Sequence, residues 1–247
     1  MKRCRILPLV FGVLLAASAA LNVALFERGR DYYLQLNQAR LSPLGLEAFS
    51  GEPVAAPNRP RLVFYGDSRA ALWPAPAAPG WAVINRGIGA QTTAQVALRF
   101  DQHLAPLRPA AVVLQAGIND LKTLPLFPER RTEIVADCIA NLRGLIARVQ
   151  GLGATVIVTT IFPVGEPPLE RRLFWSDDIA EAVEVVNADL RALAGGEVLV
   201  LDAYALLAGG DGRMQPQYSA DELHLNAAGY EALNRALSAL LQTVGAA

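Results

Sequence analysis

Three polar residues set far apart in the chain have the types needed for acyl transfer. Ser68 stands in Gly66-Asp67-Ser68, directly after an apolar run, where a strand-to-helix turn exposes its hydroxyl beside backbone N–H groups. A serine hydroxyl is a weak nucleophile until a base takes its proton. The chain has only 2 histidines. His103 lies beside Phe100 and Leu104 in a helical pattern and reads as structural, so His224 is the candidate base. Asp221, on the same turn, can accept a hydrogen bond from the other ring nitrogen and fix the tautomer. Negative charge then develops on the attacked carbonyl oxygen. The side-chain amide of Asn119 and the backbone N–H groups of Ser68 and the Gly89-Ala90 turn are the candidate donors of an oxyanion hole. Asp67 reads as a turn residue holding the nucleophile loop. Asp120 reads as a loop or cap partner, and Gly117 as a position where backbone passes close to the site without a Cβ.

These segments need a scaffold that brings them to one place. Short β-rich apolar runs occur at 62–65, 82–84, 111–114, 155–158 and 198–201, each too short for a helix. Stretches near 91–104, 129–150, 176–194 and 226–242 carry apolar residues at spacings of three and four. Strands apolar on both faces, alternating with amphipathic helices, predict a three-layer α/β/α sandwich around a parallel sheet of about five strands. In such sheets the site lies at the carboxyl ends of the strands. Gly66-Asp67-Ser68, Asn85 to Thr92 and Gly117 to Asp120 each follow a run, and Asp221 to His224 opens the last helix.

Composition narrows the chemistry further. The chain has 247 residues, 22 basic and 23 acidic side chains and a net charge of −1. That balance offers no basic stripe for a phosphate backbone, so no nucleic-acid partner is expected. Cys4 and Cys138 cannot make a disulfide framework, and no cluster has the spacing of a metal site, so neither metal nor cofactor is expected. Gly87-Ile88-Gly89 lacks the third glycine of a dinucleotide loop, with Thr92 in its place.

Lys2, Arg3 and Arg5 precede an uncharged stretch from Ile6 to Phe26. Roughly 20 apolar residues suffice to cross a bilayer. The flanking basic residues place the first residues in the cytoplasm and the rest outside. Residues 1–26 are therefore expected to be a membrane anchor. Ala17-Ser18-Ala19 leaves open a cleaved signal segment, and with it secretion. Tyr32, Tyr33, Leu36 and Leu41 keep a weak helical rhythm before Pro43, Pro53, Pro57 and Pro60, so 27–60 reads as a linker and collar. The domain proper is expected at 61–247.

Across about residues 61–242 the chain resembles the SGNH/GDSL hydrolase family. The resemblance rests on Gly66-Asp67-Ser68, Asn85-Arg86-Gly87-Ile88-Gly89-Ala90, Gly117-Ile118-Asn119-Asp120 and Asp221-x-x-His224, in the family's order. It implies a flavodoxin-like sheet and cofactor-free serine ester hydrolysis, with Ser68, Asn119, Asp221 and His224 in the roles above. Two positions depart from the family's pattern. Ala90 replaces a glycine whose N–H serves the oxyanion hole; the N–H survives, but a left-handed backbone there costs alanine about 1 kcal/mol. Arg69 follows the nucleophile where an aliphatic residue is common, which puts a cation at the edge of the site as a substrate-pocket candidate. Trp73, Phe127, Phe162 and Trp175 are the other pocket candidates. The expected activity is an exported, membrane-tethered serine esterase facing the periplasm or cell exterior, acting on acetyl or short acyl esters of a glycan or a lipid. A cell-envelope polysaccharide O-acetyltransferase with the same triad and a non-catalytic glycan-binding domain are the alternatives.

Overall fold

The computed structural model of the chain describes residues 6–52 and 59–244. Lys2, Arg3, Cys4, Arg5, Pro53 and Pro57 lie outside the described residues. The chain divides into two compact units, one ending at Pro43 and one beginning at Leu44.

The first unit is a single helix, α1 (Ile6–Leu41), of 36 residues, about 54 Å at 1.5 Å per residue. It is long and apolar enough from Leu7 onward to cross a membrane. It does not stop at Phe26, where the apolar run ends. The weak rhythm of Tyr32, Tyr33, Leu36 and Leu41 is a continuation of the same helix, and Pro43 bounds it by disfavouring helical backbone just before it.

The second unit carries a five-stranded, fully parallel sheet: β1 (Arg61–Gly66), β2 (Ala82–Gly87), β3 (Ala111–Gln115), β4 (Thr155–Thr159) and β5 (Val198–Leu201), in the order β2-β1-β3-β4-β5. The central β3, Ala-Val-Val-Leu-Gln, is buried throughout, as both-sided helix cover requires. On one face Val63, Tyr65, Val112, Leu114, Val156 and Val158 pack with residues of α3 (Thr93–Leu98), α4 (Phe100–His103), α6 (Arg131–Gly151) and α7 (Asp178–Ala192). On the other, Leu62, Phe64, Val113 and Ile157 pack with α8 (Ala203–Leu207) and α9 (Ala227–Val244). The strand order reverses direction between β1 and β3. That is the switch point outside whose carboxyl ends a doubly wound sheet opens a crevice.

Residues 44–52, expected as collar, belong to this unit. The Leu44 carbonyl accepts from Gln91 Nε2 at 2.8 Å, and the Leu46 carbonyl from Gln102 Nε2 and His103 Nε2, both at 3.0 Å. Glu52 pairs with Arg86 at 2.6 Å. His103 also sets its ring edge-on to Phe49 at 5.1 Å; burial, with Arg99 and Arg86 nearby, holds its pKa below the ordinary value. It is a structural histidine, as its sequence context suggests.

Candidate active site

Gly66 ends β1 pressed against β3: a Cβ there would stand 1.7 Å from the Gln115 carbonyl oxygen, a space only glycine can occupy. The chain then turns. Asp67 caps the short helix α2 (Ser68–Ala71) with Oδ1 accepting the Arg69 N–H at 2.8 Å, which leaves Ser68 at the first helical position with its side chain at the rim. The whole carboxylate is buried. Burial pushes the Asp67 pKa up to about 6 against the opposing charge and N–H of Arg69, and Oδ2 has no hydrogen-bond partner.

Ser68 Oγ lies 2.9 Å from His224 Nε2, although 156 residues separate them. His224 Nδ1 is 2.9 Å from Asp221 Oδ2 and 3.1 Å from Oδ1. A carboxylate only accepts, so Nδ1 carries the proton and Nε2 is left as an acceptor for the serine hydroxyl. Asp221 Oδ1 also accepts the backbone N–H groups of Leu223 at 2.8 Å and His224 at 2.7 Å. Partial burial pushes its pKa up, but the bonds from His224 and from these two N–H groups outweigh it and hold the carboxyl below its usual range. The loop is therefore wound around an ionised carboxylate that aligns the imidazole.

The opposite side of Ser68 is built from β2 and β3. Asn85 Nδ2 donates to the Ala70 carbonyl at 2.8 Å while its Oδ1 accepts from Gly87 N at 2.8 Å, tying the end of β2 to α2. A Cβ on Gly89 would lie 3.9 Å from Ser68 Cβ, so this turn flanks the nucleophile. Ala90 is left-handed, with φ 62°. That is the strained conformation foreseen for an alanine at this position, and its N–H remains. Gly117 adopts φ 123°, and a Cβ there would meet Ile161 Cδ1 at 2.6 Å. It opens α5 (Ile118–Leu121), on which Asn119 is buried with Nδ2 donating to the Gln91 carbonyl at 3.0 Å. One hydrogen of that amide holds the second loop; an amide nitrogen carries two. Asp120 accepts from Thr93 N at 2.9 Å and Thr93 Oγ1 at 2.7 Å, joining the starts of α3 and α5; burial raises its pKa.

Four residues expected at the pocket have other places. Arg69 is no rim cation: it is completely buried, with Nε donating to the Leu223 carbonyl at 2.8 Å and Nη1 to the Phe162 carbonyl at 3.1 Å. Trp73 and Phe162 are core side chains, packed on each other at 6.0 Å and, through Trp73, on Phe64 and Tyr230. Trp175 lines a cavity of about 290 Å³ with Gly165, Glu166, Arg172 and Arg213; Ser68 and His224 are not among its lining residues. Phe127 is partly exposed after the 3-10 turn Leu124–Leu126.

Residues that the sequence reading passed over hold these loops. Arg99 is buried under the second loop, with Nε on Gln91 Oε1 at 2.5 Å, Nη1 on the Arg86 carbonyl and Nη2 on the Gly66 carbonyl, both at 2.8 Å. Gly165 N donates to the Glu222 carbonyl at 2.8 Å, and Arg171 pairs with Glu222. The Tyr230 hydroxyl donates to the Arg69 carbonyl at 3.0 Å. A signal existed for Arg99: it falls three after Val96 and one before Phe100, on an apolar face where an unpartnered charge would be costly.

The model of the GDSL-like lipase/acylhydrolase family matches residues 57–232. Platelet-activating factor acetylhydrolase IB subunit alpha1 of Rattus norvegicus is 29% identical over 193 residues, 74% of this chain and 76% of that protein. A GDSL-like lipase from Bacteroides thetaiotaomicron superposes with a TM-score of 0.65 at 24% identity, over 81% of this chain and 98% of that one. A catalytic mutant of an acetylxylan esterase from Geobacillus stearothermophilus gives 0.53 at 21% identity, over 75% and 94%.

Proposed function

The chain belongs to the GDSL-like lipase/acylhydrolase family, whose members act on ester bonds, and from that premise we propose that it is an exported serine esterase working through Ser68, His224 and Asp221. The observation that carries this reading is the relay in which His224 bridges Ser68 at 2.9 Å and Asp221 at 2.9 Å with its two ring nitrogens. Ser68 Oγ attacks the ester carbonyl as its proton passes to Nε2. Asp221 stabilises the imidazolium that results. The oxyanion takes the backbone N–H groups of Ser68 and Ala90 and the second hydrogen of the Asn119 amide. Nε2 then returns the proton to the departing alcohol. Water attacks the acyl-enzyme on the same base, releasing the acid and restoring Ser68.

The acyl group proposed is acetyl or another short chain, carried on a glycan or a lipid. The name of the 29%-identical relative, an acetylhydrolase, supports that choice. Asp67, Gly89, Gly117 and Asp120 support the site without touching the reacting atoms, and no cofactor enters any step. The apolar part of α1 is proposed to anchor the chain in the inner membrane, with the catalytic unit outside.

Reaction of the full-length protein with a fluorophosphonate tests the catalytic claim. Wild type is expected to take one label, Ser68→Ala none, and p-nitrophenyl acetate is expected to be cleaved faster than the longer esters of a chain-length series. A wild type that takes no label and cleaves no ester overturns the reading. Acyl transfer to an added glycan exceeding hydrolysis would make the enzyme an O-acetyltransferase instead.

A further inference from the structure

Arg69 joins the two ends of the relay. It follows Ser68 in the chain, and its guanidinium donates to the carbonyl of Leu223, which precedes His224. A second donor of the same planar fork reaches the Phe162 carbonyl, on the loop after β4, while the guanidinium lies 5.0 Å from the centre of the Phe162 ring. The Arg69 backbone is held at both ends: its N–H by Asp67 Oδ1 at 2.8 Å and its carbonyl by the Tyr230 hydroxyl at 3.0 Å. Tyr230 lies on α9, the helix that follows the His224 loop. The residue is 0% exposed, so these bonds are made where a misplaced donor has no water to fall back on.

We propose that Arg69 is a positioning residue for ester hydrolysis, a buried fork that fixes the distance between the serine oxygen beside it and the imidazole beyond the Leu223 carbonyl. The proposal rests on the serine-esterase reading above. Asp221 sets which way the imidazole faces, because its bonds run to the ring and to the loop's own N–H groups. None of those bonds reaches α2. Through Arg69 the loop is bonded to the segment that carries the nucleophile, and a shift of about 1 Å between reacting groups is enough to slow chemistry about 100-fold. Lysine is a poor replacement, since one ammonium on a flexible stem does not present two donors at the fixed spacing of the fork.

The test compares full-length wild type, Arg69→Lys and Arg69→Met, each titrated for active sites by fluorophosphonate and assayed with p-nitrophenyl acetate well below the unfolding temperature. Arg69→Met is expected to lose about 100-fold in kcat and in labelling rate with KM within about twofold, and Arg69→Lys to recover part of that loss. The downfield Nδ1 proton resonance of His224, one of only 2 histidines, is expected to broaden in Arg69→Met. Folded Arg69→Met with wild-type kcat and an unchanged His224 resonance overturns the proposal while leaving the esterase reading intact. Wild type that takes no label removes both. If Arg69→Met does not fold, Tyr230→Phe, which releases only the Arg69 carbonyl, is expected to lower kcat with KM unchanged; wild-type kcat in Tyr230→Phe and in Arg69→Lys together overturns the proposal.

Discussion

Two arginines, each 0% exposed, lie under the two halves of the site, and their hydrogen bonding differs. Arg99, on the side of Ala90 and Asn119, has a partner for each of its three nitrogens and covers the Tyr65 ring at 4.3 Å. Arg69, on the side of His224, has partners for two, and its Nη2 has none among the described residues. Burial lowers the pKa of both, that of Arg69 to about 10 against the opposing charge of Asp67. The donors that meet an oxyanion must be set before the reaction, because their value lies in needing no reorganisation. The difference teaches that the second and third loops form a wall over a fully paired arginine, while the His224 loop is tied to α2 and the loop after β4 by an arginine with a donor to spare.

That contrast can be broken at several points. Arg99→Met removes three hydrogen bonds from a charged donor, worth about 1–3 kcal/mol each although the Gly66 carbonyl keeps the Ile88 N–H, so a loss of about 3 kcal/mol or more is expected in urea unfolding. Arg69→Met removes two such bonds and should lose less; equal losses would erase the distinction. Asn119→Ala removes an oxyanion donor and also takes the Gln91 carbonyl's bond, so it is expected to lower kcat about 100- to 1,000-fold, read by p-nitrophenyl acetate kinetics, and to cost about 1–3 kcal/mol in urea unfolding.

Asp67 connects the two halves through pH. Its pKa is raised to about 6 from 3.8, so the folded chain holds a proton that the unfolded chain has released. Stability therefore falls as pH climbs from about 4 to about 6 and stays lower above that, by about 3 kcal/mol in all. Asp67→Asn keeps an oxygen for the Arg69 N–H and should flatten that slope in melting curves taken from pH 4 to 7. The smallest effect concerns the wall's one strained residue. Ala90→Gly relieves φ 62° and should raise stability by at most about 1 kcal/mol, because glycine also gains freedom in the unfolded chain. If the Ala90 methyl trims the acyl pocket, the same change relaxes the preference for acetyl over longer esters in the chain-length series.

Much of this arrangement was legible because it depends on near neighbours. The five apolar runs became five strands, since Leu62 to Tyr65 or Ala111 to Leu114 can only be covered on both faces. Asp221 and His224 share one turn, so their pairing could be read from spacing. What stayed hidden depends on residues far apart. A charge at Arg69 looks the same in the sequence whether it meets solvent or the carbonyls of Leu223 and Phe162, 154 and 93 positions away. Trp73 and Phe162 follow strand-end segments as pocket residues would, yet their rings fill the layer beneath α9. Residues 44–52 carry no periodic pattern, and the side chains of Arg86, Gln91, Gln102 and His103 reveal that they pack on the sheet domain.

Ser68 and His224, the proposed nucleophile and base, stand 156 residues apart, and the imidazole comes late in the chain. A ribosome delivers the nucleophile long before the base. If the chain beyond α1 is threaded unfolded across a membrane while the amino terminus stays on the near side, the proposed centre is incomplete as long as any of residues 221–224 remains there. The order of synthesis would itself keep such an esterase silent toward the cell's own interior esters until translocation is nearly complete.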